Sequence, residues 1–340
     1  MITGTIFLAG ITGMTAAINA ALFNHADAAE PPESIVRETP SDGWWTGPLF
    51  ATTASTLPQG YLDLEPFLSD AVPYGNFGPN WSTRNALQSK TTNVPATLTV
   101  EPLIEYGITD DLTAFLDPTV GLGNTGNAVG DTSVMLQHRL TTFHEHSIIP
   151  AMSLALRETF PTGQYDQLRT ANGGLGAGAY QTTVALNSQY YFWDFRGRLL
   201  RTRFDLSYSF ADRPVDLRGI SVYGTRAGFS GVVRPADSFT INTSLEYSLT
   251  QKLVPALDII YTHDASTRIS GTALIPSAFA ALINTVRTRS SSSDAVTLAP
   301  ALEMSWSRTG GIIIGVADTF AGRNINATVT PIVAVNFFLH

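Results

Sequence analysis

Phe239-Thr240-Ile241-Asn242-Thr243-Ser244-Leu245-Glu246-Tyr247-Ser248-Leu249 decides the fold of this chain. Phe239, Ile241, Leu245, Tyr247 and Leu249 hold odd positions, while Thr240, Asn242, Ser244, Glu246 and Ser248 hold even ones. Successive side chains of a strand point to opposite faces, so one face of this segment is greasy and the other wet. Leu199–Phe210 repeats the pattern, with Leu200, Phe204, Leu206, Tyr208 and Phe210 set against Arg201, Arg203, Asp205, Ser207 and Ser209. A soluble sandwich would turn the apolar face inward. Recurring at about ten residues per strand behind an export signal, the alternation reads as an outer-membrane barrel, apolar to lipid and polar to the lumen.

Working outward, the same reading places strands at Tyr61–Leu68, Ala96–Tyr106, Leu112–Val120, Asp131–Leu140, Pro150–Phe160 and Tyr180–Trp193. After Leu199–Phe210 and Phe239–Leu249 come Leu253–His263, Val296–Trp306, Ile312–Phe320 and Ile325–Leu339. Tight turns such as Gly107–Asp111 and Asp194–Gly197 alternate with long links such as Pro161–Ala179 and Asp264–Ala295. The expected fold is all-β, a transmembrane antiparallel up-and-down barrel of about 12 strands with both termini in the periplasm. Gly219–Val233 also has strand-like composition, as a lobe of an outer loop or as a further hairpin making about 14.

Composition supports this class. Charged residues are 14% of the 340, below the ~25% of soluble domains, and past the N-terminus no run is long enough for a membrane helix. Net charge is −8 with the acids spread along the chain, which argues against nucleic acid as a partner. Without cysteine there is no disulfide, thiolate metal site or cysteine nucleophile. Gly121-Leu122-Gly123-Asn124-Thr125-Gly126 matches a dinucleotide-loop pattern, but a strand-like segment follows where a helix would have to begin, so it reads as an outer loop. His144-Glu145-His146 falls in a tight turn with no third ligand nearby. No cofactor and no metal is expected.

Ile2–Phe23 is an apolar, Ala-rich run, followed by the small-x-small site Ala26-Asp27-Ala28 and then Pro31-Pro32. This reads as a secretory signal over residues 1–28, although the first cation is Arg37. Residues 29–58 form a Pro-, Thr-, Ser- and Gly-rich periplasmic segment, or one tucked into the barrel mouth, with Trp44-Trp45 as an anchor for the aromatic belt. The barrel itself occupies 59–340.

Three stretches carry a family likeness. Gly130-Asp131-Thr132-Ser133 opens a strand that ends His138-Arg139-Leu140; Pro150–Gly163 reads PAMSLALRETFPTG; Leu245–Gln251 reads LEYSLTQ and leads into Pro255-Ala256-Leu257-Asp258. Together they resemble the outer-membrane transporter family linked to meta-pathway phenol degradation, over roughly residues 60 to 340. The resemblance implies an outer-membrane location in a Gram-negative bacterium and passive uptake of small hydrophobic or aromatic compounds. Two other readings stay open: a structural or adhesive barrel without transport, and a lipase-like hydrolase, for which His263, Asp264 and Ser266 offer side chains at the outer end of a strand.

Alternation turns Asp63, Glu65, Glu101, Glu105, Arg139, Arg157, Arg201, Arg203, Asp205, Glu246, Asp258 and Glu303 inward. A charge facing mid-bilayer lipid costs ~2–4 kcal/mol, so these are the candidate pore-lining residues. They serve as a solute path, as a structural ion-pair network, or as both. Ala273–Val286 has apolar spacing that predicts a short helix over the mouth, with Phe279, Leu282 and Ile283 as a gate. Arg287, Arg289 and Ser290–Ser293 then suit lipopolysaccharide phosphates. Membrane lipid is the other expected partner, with the barrel-assembly machinery, which would read Phe337 near the C-terminus.

Overall fold

The computed structural model describes residues 37–85, 97–123, 126–170, 173–275 and 282–339. The expected signal segment and Phe279 lie outside these residues. The strands are β1 (Leu62–Asp70), β2 (Val72–Phe77), β3 (Thr83–Asn85), β4 (Thr97–Thr109), β5 (Leu112–Asp117), β6 (Val120–Gly123) and β7 (Gly126–Val129). Next come β8 (Thr132–Thr141), β9 (Ala151–Phe160), β10 (Gln181–Trp193), β11 (Leu199–Ala211), β12 (Val215–Arg218), β13 (Phe229–Arg234) and β14 (Ser238–Tyr247). The last six are β15 (Leu253–Asp264), β16 (Arg268–Ile275), β17 (Leu282–Arg289), β18 (Ser293–Ser307), β19 (Gly310–Arg323) and β20 (Ile325–Leu339).

Twelve of them, β1, β4, β5, β8–β11, β14, β15 and β18–β20, form one closed antiparallel barrel. Its seam is β1, which pairs with β4 on one side (Leu62↔Tyr106) and β20 on the other (Leu62↔Leu339). Closure matters because hydrocarbon offers no partner to a free sheet edge. Side-chain alternation then sorts the two faces. Leu245, Ile259, Leu302 and Leu154 project outward and are 37–47% exposed, whereas their neighbours Ser244, Asp258, Glu303 and Ser153 are fully buried.

On the side of the long links, β12, β13, β16 and β17 form a second antiparallel sheet. Val215, Leu217, Phe229 and Val233 build its core with Ala179, and Tyr165, Ala211, Ile269 and Val286 pack against them. Gly231 and Gly271 face each other across β13 and β16; a Cβ on either would meet backbone oxygen at 2.2–2.4 Å, and the Phe229 ring covers the pair. Gly219–Val233 is thus part of an outer lobe, and the fourteen-strand alternative falls.

The expected loop helix is overturned as well. Ala273, Leu274 and Ile275 belong to β16, and Leu282 and Ile283 belong to β17, with Leu274 opposite Ile283 and Ile275 opposite Leu282. Pairing across a hairpin is mirror-symmetric about its tip, and here it spaces Ile275 and Leu282 seven apart, the same interval as two helical turns. Ile283 is 73% exposed, and the Leu282 side chain lies outside the described residues. The GxGxxG stretch is likewise a β6–β7 hairpin with no helix after Gly126.

Leu245→Arg should destabilise the barrel by ~2–4 kcal/mol, because it puts a charge on the lipid face mid-strand. Denaturant unfolding of the bilayer-inserted protein measures this; an unchanged midpoint would mean that Leu245 does not face lipid.

Candidate functional site

Residues 44–57 have no strand partners, and they run inside the barrel. Trp44 enters at the tight-turn end: its N–H donates to the Gln251 carbonyl and its own carbonyl accepts from Ser305 Oγ at 2.7 Å. The Thr46 and Gly47 amides donate to Glu303 Oε2 at 2.8 and 3.0 Å. Phe50 and Ala51 amides donate to the two Asp258 oxygens at 3.3 and 3.1 Å, and the Thr52 amide to Asp205 Oδ2 at 2.7 Å. The segment then crosses the lumen, where Gln137 Nε2 donates to the Thr53 and Ser55 carbonyls. It descends to Leu57, whose amide meets Thr113 Oγ1 at 2.8 Å, and joins β1. Trp45 is not in an aromatic belt: its ring lies 4.4 Å under the Arg201 guanidinium, inside the barrel.

The wall is shaped for this passage. Gly311 and Gly315 of β19 face the inner segment, and Cβ atoms there would come within 2.2 Å of Thr46 and 2.7 Å of Leu49. Gly47 has φ +104°, a conformation open to glycine, and so turns its amide onto Glu303. Leu49 buries itself against Ala299, Ile313, Ala317, Ile332 and Ala334.

The predicted inward charges divide into groups. Glu246 on β14 is fully buried and accepts from Arg201 through Nε and Nη2, and from Arg203 Nε at 3.1 Å. Arg203 Nη1 also donates to the Ala51 carbonyl at 2.7 Å, so it joins wall to inner segment. Asp205, Asp258 and Glu303 are the acceptors of the inner segment's amides. Arg157 pairs with Asp117 at 3.7 Å, with Glu101 nearby on β4. Glu105 stands opposite Asp63, both oxygens of which accept from Asn336 Nδ2. Arg139 reaches down to Asp111 at 2.5 Å in the β4–β5 turn and sits at the rim.

Beyond the inner segment the lumen keeps a cavity of about 500 Å³. Phe50, 45% exposed, forms part of its floor. Met135, Ala155 and Ala185 line one wall and continue an inward apolar cluster with Phe115 and Leu103. Threonines line the opposite wall, and they bond to one another: Thr297 Oγ1 to Thr319 Oγ1 at 2.9 Å, Thr240 to Thr262 at 3.4 Å. Sequence reasoning missed Phe50 and the apolar wall. The inward positions of β8–β10 alternate in register with the charged ones, and small residues there carry little signal of their own.

His263 Nδ1 lies 2.7 Å from Asp294, which also binds Tyr261 and Arg323. Among the described residues no hydroxyl is bonded to the other ring nitrogen, and Ser293 Oγ instead donates to Asp264. No group of three metal-ligating side chains is present among the described residues.

Residues 72–324 match the family described as "Putative MetA-pathway of phenol degradation". An outer membrane channel from Pseudomonas putida F1 is similar in structure, with TM-score 0.59 and 11% identity over 86% of this chain and 100% of that one. The Pseudomonas putida toluene transporter aligns over 84% of this chain and 91% of its own at 11% identity, with a TM-score of 0.31. No curated protein matches the chain in sequence.

Glu303→Ala removes the acceptor of the buried Gly47 amide and the half-buried Thr46 amide, a buried amide left unsatisfied costing ~1–3 kcal/mol. Amide exchange at Thr46 and Gly47 should then quicken by about tenfold or more, with the β14–β15 ladder unaffected. Mass-spectrometric hydrogen exchange reads both; equal protection in wild type and variant would show that Glu303 does not hold the segment.

Proposed function

The chain belongs to the phenol-degradation MetA-pathway family, and from that premise we propose that it is an outer-membrane channel of a Gram-negative bacterium for passive uptake of small hydrophobic or aromatic compounds. The observation that carries this reading is the lumen cavity above the inner segment. Its volume of about 500 Å³ falls in the usual range of small-molecule pockets. Phe50 and the Met135–Ala155–Ala185 wall offer apolar surface to a ring, and the threonine hydroxyls that satisfy one another ask little of a solute that cannot hydrogen-bond. A phenolic hydroxyl would find partners at Asn242 or Ser207 on the same wall.

In this reading the charged residues act indirectly. Glu303, Asp258, Asp205 and Arg203 hold the inner segment across the lumen, and its departure opens the way to the periplasm. Glu101, Arg157 and Asp117 stand higher on the wall. Glu246 and Arg201 keep Arg203 in place. The GxGxxG stretch forms a β6–β7 hairpin and not a nucleotide loop, and in this reading the gradient of the solute is the driving force.

Uptake of labelled phenol into proteoliposomes tests the proposal. Ala185→Trp, which fills the cavity with a large side chain, should slow uptake several-fold, in line with the sensitivity of packed sites to added volume. Deleting residues 46–56 should speed uptake and raise single-channel conductance. If the intact protein gives no more phenol flux than protein-free liposomes, or if neither variant changes the flux of the intact protein, the channel reading fails and a structural barrel is the better description.

A further inference from the structure

The outer face of the lobe sheet carries an arrangement that the channel reading leaves unused. Arg234 of β13 stands directly opposite Arg268 of β16, and Arg268 stands directly opposite Arg289 of β17. Residues opposite one another on adjacent strands share a face, with Cβ atoms about 4.5–5.5 Å apart, and like charges so placed repel. Arg287, two positions before Arg289, lies on the same face. All four are exposed, and none makes a salt bridge among the described residues. Asp216 shares the face on the neighbouring β12, opposite Val232 and so diagonal to Arg234, but makes no salt bridge among the described residues, and Arg218 adds a further cation to the same face.

The row's place is equally specific. Arg234 precedes the start of β14 by four residues, Arg268 follows the end of β15 by four, and Arg289 precedes the start of β18 by four. Those strand ends are themselves paired, Ser238↔Asp264 and Asp264↔Ser293, and mark the barrel's outer rim. The arginines therefore run parallel to that rim, at most ~13 Å above it by strand rise. The opposite face of the lobe contacts Ala211, which shares its side of β11 with the lumen-lining Ser207. The lobe's core thus faces the barrel axis, and the arginine face looks outward over the surrounding lipid.

We propose that Arg234, Arg268, Arg287 and Arg289 form a docking surface for the phosphate groups of lipopolysaccharide in the outer leaflet. Guanidinium forks match phosphate oxygens two at a time, and a row spanning three strands, about 10 Å, presents several forks to a multiply phosphorylated headgroup. Bound phosphates relieve the repulsion along the row, so the lipid supports the lobe as the lobe holds the lipid. The inference is independent of which solute crosses the lumen.

The test is binding of purified lipopolysaccharide to the full-length protein in detergent, with chemically dephosphorylated lipopolysaccharide and polyglutamate as comparison ligands. The triple variant Arg234→Gln, Arg268→Gln, Arg289→Gln should bind lipopolysaccharide about tenfold or more weaker than wild type, as loss of charge-assisted hydrogen bonds requires. Arg308→Gln, in a turn at the opposite end, should bind as wild type does. Heat-modifiable mobility on electrophoresis reports whether each barrel is folded. If the triple variant does not fold, Arg268→Gln alone, the middle of the row, should still weaken binding by about threefold or more. A smaller loss overturns the proposal. So does wild-type binding of the dephosphorylated lipid at equal strength, or equal competition by polyglutamate, which would mark a general acidic-polymer site.

Discussion

Backbone amides with no strand partner have to find acceptors somewhere, and inside this barrel they find carboxylates. Five amides of residues 46–52 point at Glu303, Asp258 and Asp205. The wall needs the segment as much as the segment needs the wall. Glu246 is already engaged by Arg201 and Arg203, so Glu303, Asp258 and Asp205 would be buried without a full countercharge. N–H dipoles stand in for the missing cations. Arg203 binds the two systems together, with one nitrogen on Glu246 and another on the Ala51 carbonyl. A buried charge left unpaired costs several kcal/mol, so wall and segment are stable as a unit.

That unit sets the character of the lumen. At the level of the inner segment Glu246, Arg201, Arg203, Asp205, Asp258 and Glu303 are engaged in structural bonds. Above it the wall is mainly threonine, alanine, methionine and asparagine, with Arg157 paired to Asp117 as its charged element. The barrel therefore combines a polar, bonded floor with a chamber of mild polarity. Neither a wide aqueous pore nor a filled core describes it.

The barrel itself was legible because lipid enforces a period of two over every crossing. Leu199–Phe210 and Ile325–Leu339 read cleanly for that reason, and the observed strands start and stop within a few residues of the expected ones. The inner segment had no such signal. Thr46-Gly47-Pro48-Leu49-Phe50 has no periodicity, and its carboxylate partners lie 208 to 257 residues away in sequence. Inward charge could be assigned by alternation, but what each charge faces depends on the closed shape. Ala273–Val286 failed for a different reason. Its apolar residues pair across a hairpin tip, and seven-residue spacing arises equally from that pairing and from two turns of helix.

The inner segment is continuous with β1, the strand that closes the seam: Gly60 and Tyr61 exchange hydrogen bonds with Gly107 immediately before the first barrel pair at Leu62. Whatever displaces the segment leaves it on a leash of a few residues. Its return is an intramolecular event, with an effective concentration in the millimolar range for so short a tether. Reclosure is therefore first-order and indifferent to how many copies the membrane holds, and each barrel resets itself without a partner.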